Sequence, residues 1–228
     1  MAASIFITGT DTGVGKTVLT FLLTVFLRGE KISLAAFKPL CTGNRADARA
    51  LHAAQGRSMA LNEVNPWFFK APISPAQAAL RQKKSVSKKN VLRHILSRAK
   101  SSDLLLVEGA GGLLSPLGMD FDNRDLLVAL DATPLIVAPN RLGVINQVRL
   151  ACSALPPVFL RRCAVVLMAP RRPDASTSSN RAELAGWLEG VPVHEFPWMA
   201  SPLSARTVTQ PTVLAVLQAI GKILIKTS

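Results

Sequence analysis

Short apolar runs alternate with longer stretches of helical periodicity along almost the whole chain. The runs at 4–8, 32–38, 103–108, 135–139, 164–168 and 191–196 read as strands. Residues 17–28, 47–55, 86–100, 124–130, 143–155, 177–189 and 211–226 read as helices. Strands that alternate with helices argue a parallel sheet covered on both faces. Leu104-Leu105-Leu106-Val107 and Leu135-Ile136-Val137-Ala138 are continuously apolar, as strands buried on both faces must be. The first helix is apolar nearly all round (Val18, Leu19, Phe21, Leu22, Leu23, Val25, Phe26, Leu27), which marks it as buried. No internal repeat or linker divides the chain, and the Pro/Ser/Thr/Arg-rich stretch at 170–180 reads as an exposed loop. The pattern predicts one α/β domain over 1–228, doubly wound around a mainly parallel sheet.

Composition narrows the class. Of 228 residues, 49% are hydrophobic and 18% charged, enough to build one large core and to exclude disorder, collagen and a small disulfide scaffold. No apolar run approaches the ~20 residues of a spanning helix, and the N-terminus lacks a basic signal-peptide region. Cys41, Cys152 and Cys163 are odd in number and far apart, so they predict free thiols in a reducing cytoplasm. His52, His94 and His194 are scattered and make no metal spacing. The net charge of +13 is the unusual number. Arg81, Lys83, Lys84, Lys88, Lys89, Arg93, Arg98 and Lys100 follow one another with no acid between them. Such a run is ordinarily a solvated face, and without interleaved aromatics it does not indicate base stacking.

The first strand runs into Gly9-Thr10-Asp11-Thr12-Gly13-Val14-Gly15-Lys16-Thr17 and then into a helix. Strand, glycine loop and helix in that order are what a phosphate-binding loop requires. Glycines let backbone N–H groups turn toward a polyphosphate, and the helix start adds unpaired donors. Lys16 is placed for the outer phosphates and the Thr17 hydroxyl for Mg2+. The fold expected is therefore of the P-loop NTPase type. Gly9 and Gly15 are separated by five residues, and Thr10 stands where the usual pattern has its first glycine. The wording of this loop resembles that of the dethiobiotin synthetases.

Other segments extend that resemblance. Phe37-Lys38-Pro39 closes the second strand, where open α/β sheets bind ligands. By itself Lys38 is a surface lysine at an exposed strand end; the resemblance implies that it is the catalytic lysine and that Thr42 contacts the substrate. Asp47 alone is an ordinary helix-start aspartate, and the resemblance gives it to the nucleotide and Mg2+. Val107-Glu108-Gly109-Ala110-Gly111-Gly112 ends an apolar strand in a carboxylate and a glycine-rich turn. Glu108 alone could be a solvated charge; the resemblance implies that Thr17, Asp47 and Glu108 share Mg2+. It also places Gly13, Val14, Gly15, Lys16, Thr17, Val18, Gly109, Ala110 and Gly111 around ATP. Pro197, Trp198 and Met199 match the family's adenine-side wall, although a lone tryptophan is often core. Gly143, Val144 and Asn146 open a helix that, by the resemblance, meets the substrate carboxylate across a homodimer interface; a plain glycine–asparagine turn is the alternative. Asn65-Pro66-Trp67 and Ala71-Pro72-Ile73-Ser74-Pro75 resemble the family's substrate-side loop. One departure stands out: after the strand ending at Met168 come Ala169-Pro170, where the family has asparagine–aspartate and the asparagine reads adenine.

The resemblance implies a stepwise reaction on small molecules, with neither membrane nor nucleic acid as partner. An amine of 7,8-diaminononanoate takes up CO2 as a carbamate. The carbamate oxygen attacks the γ-phosphorus of ATP to give a carbamic–phosphoric anhydride. The second amine then closes the ureido ring and expels phosphate. Two rivals share the loop. A ParA/MinD-like partitioning ATPase would bind DNA through the basic run, but its extra loop lysine is missing from Thr10-Asp11-Thr12. A cobyrinate-type amidotransferase needs a C-terminal glutaminase domain, and this chain stops at Ser228.

Overall fold

The computed structural model describes residues 3–99, 102–199 and 204–226. In chain order the strands are β1 (Ala3–Gly9), β2 (Leu34–Phe37), β3 (Leu40–Thr42), β4 (Trp67–Phe69), β5 (Leu104–Glu108), β6 (Thr133–Pro139), β7 (Ala164–Met168) and β8 (Val193–Phe196). The helices are α1 (Lys16–Gly29), α2 (Ala46–Ala54), α3 (Leu61–Val64), α4 (Pro75–Arg81), α5 (Lys88–Arg98), α6 (Asn123–Ala129), α7 (Val144–Ser153), α8 (Pro157–Leu160), α9 (Asn180–Trp187) and α10 (Pro211–Lys226), with a 3-10 turn at Ala205–Thr209.

Six strands form one parallel sheet in the order β2-β5-β1-β6-β7-β8. From β1 the chain crosses to the edge strand β2, returns to lay β5 between them, and then adds β6, β7 and β8 on the other side, so the crevice beyond the carboxyl ends of β1, β5 and β6 is the ligand position for such a sheet. Alternation along the strands explains why both faces are dry. Ile5 and Ile7 pack with α1 (Leu19, Leu22, Leu23, Leu27) and α10 (Val213, Leu217, Ile220). Phe6 between them packs on the opposite face with Val91 and Ile95 of α5, Leu127 of α6 and Val148 of α7. The doubly wound expectation is met. Among the described residues no helix is long and apolar enough to cross a membrane.

The helix boundaries shift where side chains cap them. The helix expected at 86–100 runs from Lys88 to Arg98, because Ser87 accepts the Asn90 N–H and Val86 is spent in the core; Lys100 lies outside the described residues. The helix expected from 177 starts at Asn180, after Asp174 has bonded Ser176 and Thr177 in a turn. The strand expected to reach 38 stops at Phe37, and the Lys38 N–H donates to the Val64 carbonyl instead. A second, two-stranded parallel sheet (β3 with β4) and the short α3, α4 and α8 have no counterpart in the periodicity, being too brief to establish one.

Candidate active site

The loop between β1 and α1 carries the first half of the site. Gly15 caps α1 in the left-handed region (φ 101°), and a Cβ there would stand 2.9 Å from Met168 Cγ, so only glycine fits. Lys16 reaches back over the loop and donates from Nζ to the Asp11 carbonyl at 2.7 Å. Burial pulls its ammonium down to about 8; Lys38 nearby adds to this, and Glu108, Asp47 and Asp11 oppose it. A polyphosphate beside it would push that value back up, because anions favour the protonated amine.

The second half is a charged knot at the ends of β2 and β5. Lys38 is only 3% exposed, not the solvated strand end that its position suggests. The 64–67 segment folds over the turn and covers it. Lys38 Nζ donates to Glu108 Oε1 at 2.7 Å and to the Gly109 carbonyl at 2.7 Å, and Asp47 Oδ2 lies 3.5 Å away. Burial pulls this ammonium down, but Glu108 and Asp47 outweigh it and hold its pKa above the ordinary lysine value. Thr17 Oγ1 donates to the same Glu108 oxygen at 2.9 Å. Glu108 Oε2 is buried and, among the described residues, has no hydrogen-bond partner. A buried carboxylate oxygen without a partner is a strong demand for a cation or donor.

Both halves line one cavity of about 700 Å³. Gly13, Gly15, Lys16, Thr17 and Val18 come from the loop side; Lys38, Thr42 and Asp47 from β2 to α2; and Glu108, Ala110 and Gly111 from the end of β5. Pro72, Ile73, Ser74 and Pro75 form another wall. Cys41 also borders it, but burial raises its thiol to about 11, which keeps it protonated and un-nucleophilic. Val14 turns its side chain into the core, leaving only its backbone for a ligand. Gly109 contributes its carbonyl to Lys38.

The family model described as an AAA domain matches residues 3–220. A protein named ATP-dependent dethiobiotin synthetase BioD from Anaeromyxobacter sp. (strain Fw109-5) is 39% identical over 186 residues, 79% of this chain and 83% of that one. The protein of the same name from Bacillus licheniformis is 34% identical over 71% of each chain. This chain belongs to the dethiobiotin synthetases. It is therefore an ATP-using ligase of biotin biosynthesis that forms C–N bonds. Among solved structures, a ParA family ATPase from Chlorobium tepidum superposes with TM-score 0.59 at 15% identity, covering 96% of this chain and 99% of that one. Hydrogenase maturation factor HypB from Archaeoglobus fulgidus gives 0.56 at 17%, covering 98% and 90%. These likenesses show the P-loop fold and nothing finer.

Two groups of expected synthetase residues lie away from the cavity. Pro197, Trp198 and Met199 follow β8, three strands from β1, with Trp198 48% exposed and the Arg171 guanidinium 5.9 Å from its ring centroid. The Ala169 N–H is used by the Phe196 carbonyl at 2.8 Å, which ties the ends of β7 and β8 together. Gly143 and Asn146 are exposed at the start of α7, whereas Val144 is wholly buried and offers no side chain. Their loop is held by Asn140, which donates to the Thr177 carbonyl at 3.1 Å and accepts from Asn180 at 2.8 Å. Arg45 and Asn123 carry no signal in the periodicity, yet both brace the site; Asn65, expected on the substrate side, lies outside the cavity lining, buried against the Lys38 and Pro39 carbonyls. Asn123 donates to the Ala110 and Gly112 carbonyls (2.9 and 2.7 Å) and so holds the turn after Glu108.

Proposed function

We propose that this cavity closes the ureido ring of dethiobiotin from 7,8-diaminononanoate, CO2 and ATP through a carbamic–phosphoric anhydride, in a single domain. The observation that carries the reading is the convergence of Lys16, Lys38, Thr17 and Glu108 on one cavity beside a phosphate loop. The carbamate oxygen, the γ-phosphoryl oxygens and the bridging oxygen to the β-phosphate are all anionic as the new P–O bond forms. Lys16 and Lys38, both buried, hold positive charge against them, and each such contact contributes on the order of several kcal/mol. Lys38 is the catalytic residue of this scheme, and Thr42 at the cavity wall is the substrate-side hydroxyl. The second amine then attacks the anhydride carbon, the C–N bond forms, the C–O bond to phosphate breaks, and inorganic phosphate leaves.

Mg2+ fits the donors present. One hydroxyl (Thr17) and two carboxylates (Asp47, Glu108) are the hard oxygen ligands it prefers, and the bare Glu108 Oε2 is available to it. When bound, it would neutralise phosphate charge. Phosphate release that requires the diamine, bicarbonate and ATP together is the direct test. Release with ATP alone at the same rate would refute the reaction.

A homodimer is part of the proposal, since Gly143 and Asn146 are exposed and lie outside the cavity lining of their own chain. Asn146→Ala and Lys38→Ala proteins, each inactive, should regain about a quarter of the wild-type rate when mixed and re-equilibrated in equal amounts, because half the dimers then hold one intact site. No recovery in a confirmed mixed dimer would show that the substrate site is not shared. Three buried free thiols support a reducing, cytoplasmic setting.

The base side leads to another expectation. Ala169 has no side-chain donor or acceptor, a tryptophan face accepts any base, and Arg171 carries donors only. Such groups cannot reject guanine or cytosine as a site built for adenine's amino group would. The kcat/KM values for ATP, GTP and CTP should fall within about tenfold, or ~1.4 kcal/mol. A preference for ATP of about a hundredfold or more would refute this.

A further inference from the structure

Lys38 sits where the backbone leaves the main sheet. β2 ends at Phe37, and Pro39 has no N–H to contribute. One short segment satisfies the rest of this turn. Lys38 N–H donates to the Val64 carbonyl at 3.1 Å, and Trp67 N–H donates to the Pro39 carbonyl at 3.1 Å. Between them lies Asn65, 1% exposed, whose Nδ2 donates to the Lys38 carbonyl at 2.8 Å and the Pro39 carbonyl at 3.2 Å.

The other end of that amide is bound as well. Asn65 Oδ1 accepts from Arg45 Nε at 2.9 Å. The guanidinium also donates to Asn62 Oδ1 at 3.0 Å, to the Asn65 carbonyl at 2.8 Å and to the Leu61 carbonyl at 3.3 Å, and it lies 5.6 Å from the Phe68 ring centroid. All four acceptors are neutral amide oxygens arranged for a planar fork, which an ammonium cannot match. Arg45 is the residue from which α2 starts, two positions before Asp47. One amide and one guanidinium therefore connect the backbone of Lys38 to the helix that carries Asp47. The contact between those two side chains, 3.5 Å, is the loosest in the charged knot and the one most open to drift.

We propose that Arg45 and Asn65 are positioning residues that set the Lys38–Asp47 separation, and with it the charge that the cavity presents to the reacting phosphoryl group and to Mg2+. This rests on the role given to Lys38 and Asp47 above. Neither residue touches substrate in the scheme. Their loss lets two reacting-site charges shift by a fraction of an ångström to an ångström, and errors of ~1 Å can cost about 100-fold in rate. ATP binding through the phosphate loop is made elsewhere and should hardly change.

Arg45→Gln, Arg45→Lys and Asn65→Asp test this. Asn65→Asp keeps the shape and the acceptor for Arg45 but removes the donor to the Lys38 carbonyl. Expected for Arg45→Gln and Asn65→Asp are kcat values about 10- to 100-fold lower, KM for ATP within about twofold, and a several-fold higher Mg2+ requirement. Arg45→Lys should stay close to Arg45→Gln. A purely structural brace would lower the melting midpoint and leave kcat and Mg2+ dependence of the folded fraction unchanged, and that result overturns the proposal. So does full activity in Arg45→Lys. Should Arg45→Gln fail to fold, Asn65→Asp decides alone: kcat within about twofold of wild type is then refuting. Calorimetry of ATP binding against Mg2+ concentration separates this claim from the reaction itself. If wild type releases no phosphate with the diamine, the proposed reaction fails; an unchanged Mg2+ requirement for ATP binding in both variants still overturns the positioning role.

Discussion

Lys38→Ala should lose essentially all turnover, with kcat lower by about 100- to 1000-fold and KM for ATP little altered. The ammonium lies 2.7 Å from Glu108 and 3.5 Å from Asp47 on the same cavity as Lys16, and in the proposed scheme its charge acts on what develops during phosphoryl transfer. The variant should also be less stable. An exposed strand-end lysine would be removed at no cost, but this one is buried against a buried carboxylate. Taking one partner from such a pair strands the other, at about 3–5 kcal/mol. The control is the double variant Lys38→Ala with Glu108→Gln, which removes both charges and should recover stability without recovering activity. Melting midpoints and single-turnover phosphate release on the three proteins settle the matter. A folded Lys38→Ala protein with near-normal kcat would exclude Lys38 from catalysis.

The same residue shows where sequence reading reached and where it stopped. The main sheet was legible because β5, β6 and β7 are buried on both faces and centred on unbroken apolar runs, and β1 on Ile5-Phe6-Ile7. The phosphate loop and Glu108 were legible because glycines and a carboxylate at strand ends have few structural uses. That Lys38 is buried was not, since the segment covering it contains β4 and α3, of three and four residues. Elements that short carry no period, and their order comes from tertiary hydrogen bonds. Arg45 and Asn123 carry no signal for the same reason, and Asn65, which the resemblance assigns to the substrate side, is bonded instead to the Lys38 and Pro39 carbonyls: a polar residue bonded to distant backbone carbonyls reads like any loop or cap residue until the carbonyls are located. The basic run fared differently. Arg81, Lys83, Lys84, Lys88, Lys89 and Arg93 are all exposed, as a solvated face requires, and none of the site's geometry depends on them.

Glu108→Gln should raise the Mg2+ concentration for half-maximal rate by about tenfold or more, the equivalent of ~1.4 kcal/mol of lost cation binding. The substitution keeps the shape and one oxygen, which can still accept from Thr17 and Lys38. It replaces the other oxygen, the buried one with no partner, by an NH2 group that repels a cation. It also removes the larger negative charge that offsets Lys38 and Lys16, leaving half-exposed Asp47 to oppose both ammonium groups. Part of the lost rate should therefore persist at saturating Mg2+. Asp47→Asn should move the Mg2+ dependence in the same direction by less, because the Asp47 side chain is half exposed and water shares its charge. Rate against Mg2+ concentration at fixed ATP, measured for wild type and both variants, is the experiment. If neither variant shifts the curve, Thr17, Asp47 and Glu108 do not share a metal, and the bare Glu108 oxygen must serve the substrate amine or the lysines instead.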